Sequence, residues 1–539
     1  MSTSPFPLHK TPSDTLTRVN KGVNAPIFST AGLFPATFGP IFKADSSSFR
    51  THLLRSDSNH GSFARLSQKL TLLGLFFYVA FAPHSVAASA IGIGIAILGW
   101  ILRTIATRQA GLRRSGFDLI VFLLLLWTFA SAVFSTEPSI SIPKLEASWC
   151  VVIFYLTRAV ITKRTALLLV CILILSACAG VVYSVYDLLR GRGVVVETLA
   201  PDSPFRQVQI NPGDTVWRVN GKRVYSVSDI DSIIKSAAAE SLTASVISHG
   251  EHIERPGIRI SSQVKNAASP SGLTGESRSH RFRASGWTRH YETFAEILQI
   301  VAQLAFGLAL ANLSNHGSNK YFKVALVASA ILGIGIALTA MRTVLLSFVV
   351  GASVIVWRSL RGIVRVVITA ALFLILGFGA VVVWQTRAEG ALSLGDPSSS
   401  LRTEVARVGF RRIWIHPILG HGMDAMKLHW TEWGFPGKEM LHLHSTPLQL
   451  AFDRGLPMLA LWVWLMVAFL IHLSEASRKA SDLGDTNTFG ILLGAFGALV
   501  GFLVSSLVNY NYGDAEVAML FWWLMGTSVA ISEELFTPN

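Results

Sequence analysis

Long runs of apolar residues, each near the length of one bilayer crossing, restrict the fold of this chain more than any other feature. The 539 residues are 51% hydrophobic and 14% charged, and their mean hydropathy is +0.49. A helix needs about 20 mostly apolar residues to cross a bilayer, because all its backbone amides must be paired within the segment. The sequence therefore predicts an all-α polytopic membrane protein.

Twelve such runs are present, and a transmembrane helix is predicted in each. They lie at residues 69–84, 86–105, 117–135, 147–161, 165–188, 292–313, 322–340, 343–358, 364–384, 456–474, 488–509 and 515–532. Connecting segments rich in Lys and Arg lie at 103–115, 157–164, 357–365 and 474–482. With a cytoplasmic amino terminus, the alternation of twelve helices places all four in the cytoplasm, as the positive-inside rule requires.

This alternation leaves two large segments on the outer face, which is the periplasmic face if the protein lies in a bacterial inner membrane. The predicted order along the chain is a disordered cytoplasmic tail (1–66), helices 1–5 (67–189), a small outer domain (190–262), a flexible linker (263–290), helices 6–9 (291–384), an outer loop (385–455) and helices 10–12 (456–533).

The net charge of +14 does not indicate a nucleic-acid partner, because cytoplasmic loops of a membrane protein account for an excess of Lys and Arg. The three cysteines, Cys150, Cys171 and Cys178, lie within apolar runs, and no disulfide framework is indicated. No short apolar core follows the first residues, so we expect no cleaved signal peptide.

The outer domain at 190–262 has β-branched stretches, an Asn-Gly turn at Asn220 and Gly221, and a helical stretch at 227–238. These predict a small α+β domain. The motifs "APDSPF", "NPGDTVWRVNGKRV" and "SDIDSIIK" resemble a PDZ domain of the bacterial membrane-protease kind. The resemblance implies a peptide partner that adds a strand beside the helix, with "GRGV" (191–194) as the carboxylate-facing loop. A rigid spacer is the alternative.

The chain lacks H-E-x-x-H, so zinc proteolysis is excluded.

The outer loop holds a dense group of arginines with one nearby acid, Glu404. Guanidinium groups bind phosphate oxygens bidentately and keep their charge at physiological pH, so this arginine cluster suits an anion. The alternative is an amphipathic helix whose arginines meet lipid headgroups. The candidate residues are Arg402, Arg407, Arg411 and Arg412.

Arg342 stands at the outer turn between two apolar spans, in "TAMRT". A charge at full membrane depth costs about 2.5–3.5 kcal/mol, so an arginine here indicates a functional site. Snorkelling to a headgroup is the alternative.

His442 and His444 alternate in "HLHSTPLQLAF", so an extended backbone predicts rings on opposite sides, with only one facing a shared cleft. A neutral imidazole there accepts a proton from a hydroxyl. His421 and His429 lie nearby, but their spacing matches no metal-site pattern, so no metal site is predicted.

Three motifs together resemble the O-antigen ligase and polymerase family: "TAMRT", "LRTEVARVGFRRIWIHPILGHG" and "HLHSTPLQLAFDRGLPML". The resemblance covers about residues 290–532. It implies that Arg342, Arg402 and His444 are catalytic. From the arginine cluster and the histidine pair themselves, we predict that Arg407, Arg411, Arg412 and His442 bind substrate. The resemblance places the family's glycine turns at Gly420, Gly422 and Gly455. The family often has Asn where this chain has Ser445, so His442 is an alternative to His444.

The resemblance implies a glycosyltransferase that moves a glycan from a polyprenyl diphosphate carrier to an acceptor hydroxyl, without a cofactor. The acceptor that we favour is a lipid A core, which gives lipopolysaccharide. Polymerisation of the repeat or of an exopolysaccharide is the alternative. A lipid-linked sugar transporter and a scaffold built around the PDZ-like domain are two further classes. The transporter class lacks support because no repeat relates the two halves of the chain. The scaffold class lacks support because it gives Arg342 no role.

Overall fold

The computed structural model describes residues 61–248, 251–275, 277–280, 282–288, 290–314, 319–386, 397–437, 440 and 442–536. Most of the predicted tail therefore lies outside the described residues, and its last residues belong to the first helix. The helices longer than ten residues are α1 (Ser62–Phe81), α2 (Val86–Thr107), α3 (Asp118–Val133), α4 (Pro138–Val160), α5 (Lys163–Arg190), α7 (Tyr291–Ser314), α8 (Asn319–Leu338), α9 (Arg342–Ser359), α10 (Gly362–Thr386), α11 (Pro397–Ile413), α12 (Thr446–Asp482), α13 (Thr486–Ser506) and α14 (Ala515–Phe536); the ten-residue helix α6 (Val227–Ser236) lies in the insert.

Among the described residues, nine helices are long and apolar enough to cross a membrane. They are α2, α4, α5, α7, α8, α9, α12, α13 and α14, and each coincides with a predicted span. The helices α1, α3 and α10 fall on the other three predicted spans. A multi-pass membrane protein is thus the observed class, and the count of twelve crossings stays a prediction.

Helix α7 is the centre of the bundle, buried along its whole apolar stretch. Glycines let its neighbours approach closely: a Cβ on Gly307 would overlap the backbone of Gly494 in α13. Close approach of backbones between small residues is the usual packing of helices in lipid. Two buried glutamines add hydrogen bonds, and the stronger one joins Gln303 Nε2 to the carbonyl oxygen of Phe348 in α9 at 2.7 Å.

Contacts between helix ends define the two ends of the bundle. We call the one described first the site end. Asn509, just after α13, donates to Thr343 Oγ1 at the start of α9 (3.2 Å) and accepts from the backbone amide of Thr446 at the start of α12 (3.1 Å). Thr293, at the start of α7, donates to Asp514 just before α14 (2.7 Å). The starts of α7, α9, α12 and α14 therefore meet at one end.

The opposite end carries the basic loops. Arg158, near the end of α4, pairs with Glu533 near the end of α14 at 2.6 Å. Lys163, at the start of α5, pairs with Asp485 between α12 and α13 at 2.9 Å. This sorting of helix ends follows the alternation that the charge pattern predicts, with the basic loops opposite the site end. Which end faces the cell exterior stays a prediction.

The insert between α5 and α7 is a small α+β unit. Its strands are β1 (Val194–Val195), β2 (Thr198–Leu199), β3 (Thr215–Val219), β4 (Lys222–Arg223), β5 (Ser241–Ser248), β6 (Glu251–Arg259) and β7 (Leu273–Thr274). The main sheet is antiparallel, with the order β1-β3-β5-β6 and β4 beside β3. The helix α6 packs on it through Ile230 and Ile234. The predicted Asn-Gly turn joins β3 to β4, with Asn220 and Gly221 both at positive φ.

The residues that follow this sheet are more ordered than their polar composition predicts. The strand β7 pairs with β2, and the next residues pair with the start of β1, where Arg192 and Ser279 form a bridge. Polar composition indicates a flexible linker only where the backbone finds no partner. In this protein the free edge of a sheet supplies that partner, so the expectation of a flexible linker does not hold for these residues.

Candidate functional site

A cavity of about 440 Å³ opens at the site end of the bundle. One wall is apolar and comes from α3, α4, α12 and α14; it includes Leu124, Leu125, Val151, Met458 and Trp522. The rest of the lining, which we call the rim, is polar and carries charges of both signs; it includes Lys144, Glu146, Glu292, Glu296, Asp424, Lys427, His442, His444, Asp453, Arg454 and Asp514. The cavity therefore suits a ligand with an apolar part and a charged part.

A kink in α12 positions part of this rim. The helix begins with Ser445 as N-cap and Pro447 in its first turn, and it breaks at Gly455, where φ is +80°. The predicted start of this span at residue 456 is the start of the helix beyond the kink. The turns before the kink, 446–454, carry Gln449, Asp453 and Arg454 to the cavity.

The glycine-rich loop around His421 packs against this kink and hydrogen-bonds to it. A Cβ on Gly455 would overlap the carbonyl oxygen of Ile418, so only glycine fits. The carbonyl oxygens of Phe452 and Asp453 accept from the amides of His421 (2.8 Å) and Gly422 (2.9 Å). The loop thus satisfies carbonyls that the break leaves without helical partners.

Both predicted histidines line the cavity, which corrects the expectation that only one faces it. The backbone at His444 is left-handed, with φ of +55°, so the stretch is not extended. Consequently the two rings lie side by side, with centroids 4.3 Å apart, and the amide of His444 donates to Nδ1 of His442 (3.2 Å). Between them, the amide of Leu443 donates to Gln449 Oε1 at 2.7 Å. Gln449 therefore holds the histidine pair against α12.

Burial and neighbouring positive charge keep both imidazoles neutral. Burial, then the charges of Arg402 and Lys427, lowers the pKa of His442 to about 4. Burial, then His442 and Arg402, lowers the pKa of His444 to about 3. Near pH 7 both rings are therefore neutral; the acceptor nitrogen of His442 receives the His444 amide, and the acceptor nitrogen of His444 can take a hydrogen bond or a proton from a ligand.

Arg402, in the second turn of α11, is the predicted loop arginine that lies near the histidines, although its side chain is outside the cavity lining itself. Its charge acts on both rings, and its guanidinium faces Glu292 at 3.8 Å, a long and half-exposed ion pair. The pair leaves most of the five guanidinium donors for a ligand. Helix α11 is fixed because Leu443 packs against Gly409, where a Cβ would lie 2.7 Å from the leucine side chain.

A second group of positive charges lies on the rim. Lys144 and Lys427 both bind Asp424 Oδ2, at 2.9 Å and 2.8 Å. Burial alone would raise the pKa of Asp424, but the hydrogen bonds from the two lysines outweigh it and lower this pKa. The two ammonium groups and the guanidinium of Arg454 thus line the cavity together with the carboxylates of Asp424 and Glu146.

Arg342 is the first residue of α9, and its side chain is exposed rather than part of the cavity wall. Its neighbour Thr343 accepts a hydrogen bond from Asn509, which lines the cavity. The structure therefore brings the start of α9 to the site end but leaves the Arg342 guanidinium outside the cavity.

The other three candidate arginines of α11 also lie outside the cavity lining. Arg407 is exposed and pairs with Glu404 at 2.6 Å, and Arg411 is exposed. Arg412 lies over the ring of Trp433, with 5.4 Å from its Cζ to the ring centroid. Their substrate-binding roles stay predictions.

The remaining histidines of the loop have protein partners. His421 is buried, stacks on Phe452 and bonds the Arg412 carbonyl oxygen through Nε2 (2.9 Å). His429 bonds Glu137 and Glu432, at 3.0 Å and 2.7 Å. Among the described residues no group of three or more His, Cys, Asp or Glu side chains is arranged to hold a metal ion.

Sequence reasoning missed several residues of the cavity. The turn 509–514, "NYNYGD", contributes every one of its residues to the lining. Tyr510 lies beside His442, with ring centroids 5.6 Å apart, and burial raises the pKa of its phenol above the usual range. The signal was present, because two Asn, two Tyr and an Asp in a turn between apolar spans are costly at a membrane boundary.

Fold and cavity together define a multi-pass α-helical membrane protein with a charged, amphipathic cavity at one end of its bundle. Residues 327–463 match a family model described as O-Antigen ligase, and this range includes Arg342, Arg402 and His444. Over these residues the match supports the resemblance to the O-antigen ligase family that the three motifs indicated. A search among curated proteins finds no match to the chain.

Proposed function

We propose that this protein transfers a glycan from a polyprenyl diphosphate carrier to an acceptor hydroxyl, at the outer face of a bacterial inner membrane. The observation that supports this most directly is the cavity itself. Its apolar wall suits the first isoprene units of the carrier, and its charged rim suits the diphosphate and sugar. The glycan then extends away from the membrane.

The reaction needs a good leaving group. The acceptor oxygen attacks the anomeric carbon, the bond from that carbon to the diphosphate breaks, and the diphosphate leaves with the electron pair. Negative charge therefore grows on the diphosphate in the transition state. Arg402 beside the histidines, with Lys144, Lys427 and Arg454 on the rim, stabilises this growing charge more than the ground state.

The proton of the attacking hydroxyl goes to an imidazole. We assign it to His444, with His442 as its neighbour, because both rings are neutral and line the cavity. Burial, and then neighbouring positive charge, weakens these bases. A bound diphosphate opposes that charge and raises the imidazole pKa, so the base gains strength when substrate is present.

A lipid A core is the acceptor that we favour, because the rim has a second group of positive charges, around Lys144 and Lys427, for a phosphorylated acceptor. The alternative within the same chemistry is a polymerase, in which the acceptor is another lipid-linked repeat. The cavity chemistry is the same in both cases.

The test is glycan analysis of cells that lack the protein and of cells that express R402A, by gel and mass spectrometry. A ligase predicts long glycans that remain on the carrier at the outer face, whereas a polymerase predicts the loss of all long chains. Carrier-linked glycan that accumulates inside the cell would indicate a transporter instead. Unchanged surface glycan in both strains would overturn the proposal.

A further inference from the structure

The free edge of the insert sheet is occupied by the chain itself. Residues 271–275 and 277–279, which we call the docked segment, run along β1, the edge strand of the main sheet, and along β2, which pairs with β7 in a separate two-stranded sheet. Four backbone amides of the β1–β2 stretch donate to its carbonyl oxygens at 2.8–2.9 Å: Arg192 to Ser279, Val195 to Ser277, Glu197 to Thr274 and Ala200 to Gly272. The contact is therefore a continuous strand-like pairing.

Side chains fix the docked segment as they fix an extended ligand. Leu273 is 4% exposed and belongs to the hydrophobic core of the insert, together with Ile230 and Ile234 of α6. The amide of Ser271 donates to Asp231 Oδ1, also on α6, at 2.9 Å. An edge strand, a neighbouring helix and a pocket for one apolar side chain are the elements with which sheet edges receive extended peptides.

The residues after the docked segment bind the end of α5 and then enter α7. His280 Nδ1 bonds the carbonyl oxygen of Leu188 at 2.8 Å, and the amide of Gly286 donates to Ser184 Oγ at 3.0 Å. Trp287 stacks on Tyr183, with ring centroids 4.4 Å apart. Four residues later α7 begins, and its first turns bring Glu292 and Glu296 to the cavity.

We propose that the docked segment is the internal ligand of the insert: it fills the sheet edge beside α6, excludes other peptides from it and holds the start of α7 at the cavity. The predicted peptide groove thus receives a part of this chain. The effect on catalysis rests on the proposed function, whereas occupancy of the edge does not.

Peptide binding tests this occupancy in the full-length protein in lipid nanodiscs. L273D places a charge in the apolar pocket and expels the docked segment; T274D is the matched control, because Thr274 is exposed. A fluorescent peptide with the sequence of residues 270–280 serves as the probe. We expect the peptide to bind the L273D protein saturably and one-to-one, and to bind the wild type and T274D at least tenfold more weakly. A control peptide that itself carries the L273D substitution should not bind the L273D protein.

Equal binding of the probe to wild type and L273D, or no binding to an L273D protein whose insert resists protease, would overturn the proposal. Disulfide cross-linking covers the case in which L273D does not fold. In a protein without its native cysteines, T198C with T274C joins two directly paired positions and should cross-link almost completely. A yield no higher than that of T198C with S262C, outside the docked segment, would contradict docking.

Transfer activity is a separate measurement. We expect L273D to lower kcat/KM about tenfold and the peptide supplied in trans to restore part of it. If the proposed function is wrong, neither protein transfers glycan, and the binding and cross-linking results still decide whether the edge is occupied.

Discussion

At the scale of single residues, the chemistry depends on a few charged side chains near two neutral imidazoles. Composition indicated an arginine-rich loop, but it did not show which of its arginines lies near the histidines. Val405, Gly409 and Ile413 are buried and form the inner face of α11. Arg402 lies beside this face, whereas Arg407 lies on the opposite side of the helix. The choice depends on which face is buried, and a single sequence of mixed polarity does not show that.

R402A should lower the rate of glycan transfer about 10²–10³-fold, since it removes a preorganised donor from the growing negative charge. R402K should recover part of the loss, because it keeps the charge without the planar fork. R407A should stay within about threefold of wild type, because Arg407 pairs with Glu404 outside the cavity lining; this result would contradict its predicted role in substrate binding. Transfer assayed with purified protein and lipid-linked glycan gives these rates. Equal losses for R402A and R407A would contradict the assignment.

The histidine pair predicts a dependence of stability on pH. The unfolded chain takes up protons on these rings near pH 6.5, whereas the folded protein does so only near pH 3–4. Below pH 6.5 the unfolded state therefore binds more protons, and the free energy of unfolding falls as the pH drops toward 4. H444N, whose asparagine tolerates positive φ, should flatten this fall. Thermal unfolding of both proteins at pH 4–7 measures it, and identical slopes would count against the lowered pKa.

At the scale of elements, the structure depends on one broken helix and on one paired segment. The kink of α12 was foreseeable, because glycine and proline at 455 and 457 interrupt an apolar run. The shared direction of His442 and His444 was not, since it follows from a left-handed backbone that contacts with α12 and α11 impose. The pairing of the docked segment with β1 and β2 was not predictable either, because the composition of the segment is that of a linker.

G455A should destabilise the protein by more than its positive φ alone explains. Gly484, at the other end of α12, also has positive φ, at +69°, but a Cβ there meets no atom within 4 Å. G484A therefore measures the cost of a positive φ without an overlap, about 1–2 kcal/mol. Gly455, with φ of 80° and ψ of 171°, also lies in a backbone region that essentially only glycine adopts. G455A adds the overlap with Ile418 and should abolish most folded protein and activity. Yield and Tm in detergent compare the two; equal effects would show that the contact with the loop is unimportant.

At the scale of the whole molecule, hydropathy and charge placed the helices and their alternation from the sequence alone. Each predicted span falls on a helix, and the helix ends sort as the alternation requires. The cavity could not be predicted from the sequence, because its lining combines residues from segments as distant along the chain as Lys144 and Asp514. Only tertiary packing brings such positions together.

Sidedness is tested by labelling single cysteines in a variant whose Cys150, Cys171 and Cys178 are serine. R407C lies at the site end and R478C at the end with the basic loops, and both positions are exposed. An impermeant maleimide should label R407C in cells with a permeabilised outer membrane, and R478C only after the inner membrane is broken. The reverse pattern would place the cavity in the cytoplasm.

The most direct test of the central claim is the stoichiometry of the reaction in purified, reconstituted protein. Lipid-linked glycan and a lipid acceptor are supplied, and both products are counted by mass spectrometry. We predict one free polyprenyl diphosphate for each glycosylated acceptor, with both products lost together in R402A and H444N. Glycan that crosses the membrane or binds the protein while its bond to the carrier stays intact would contradict the account.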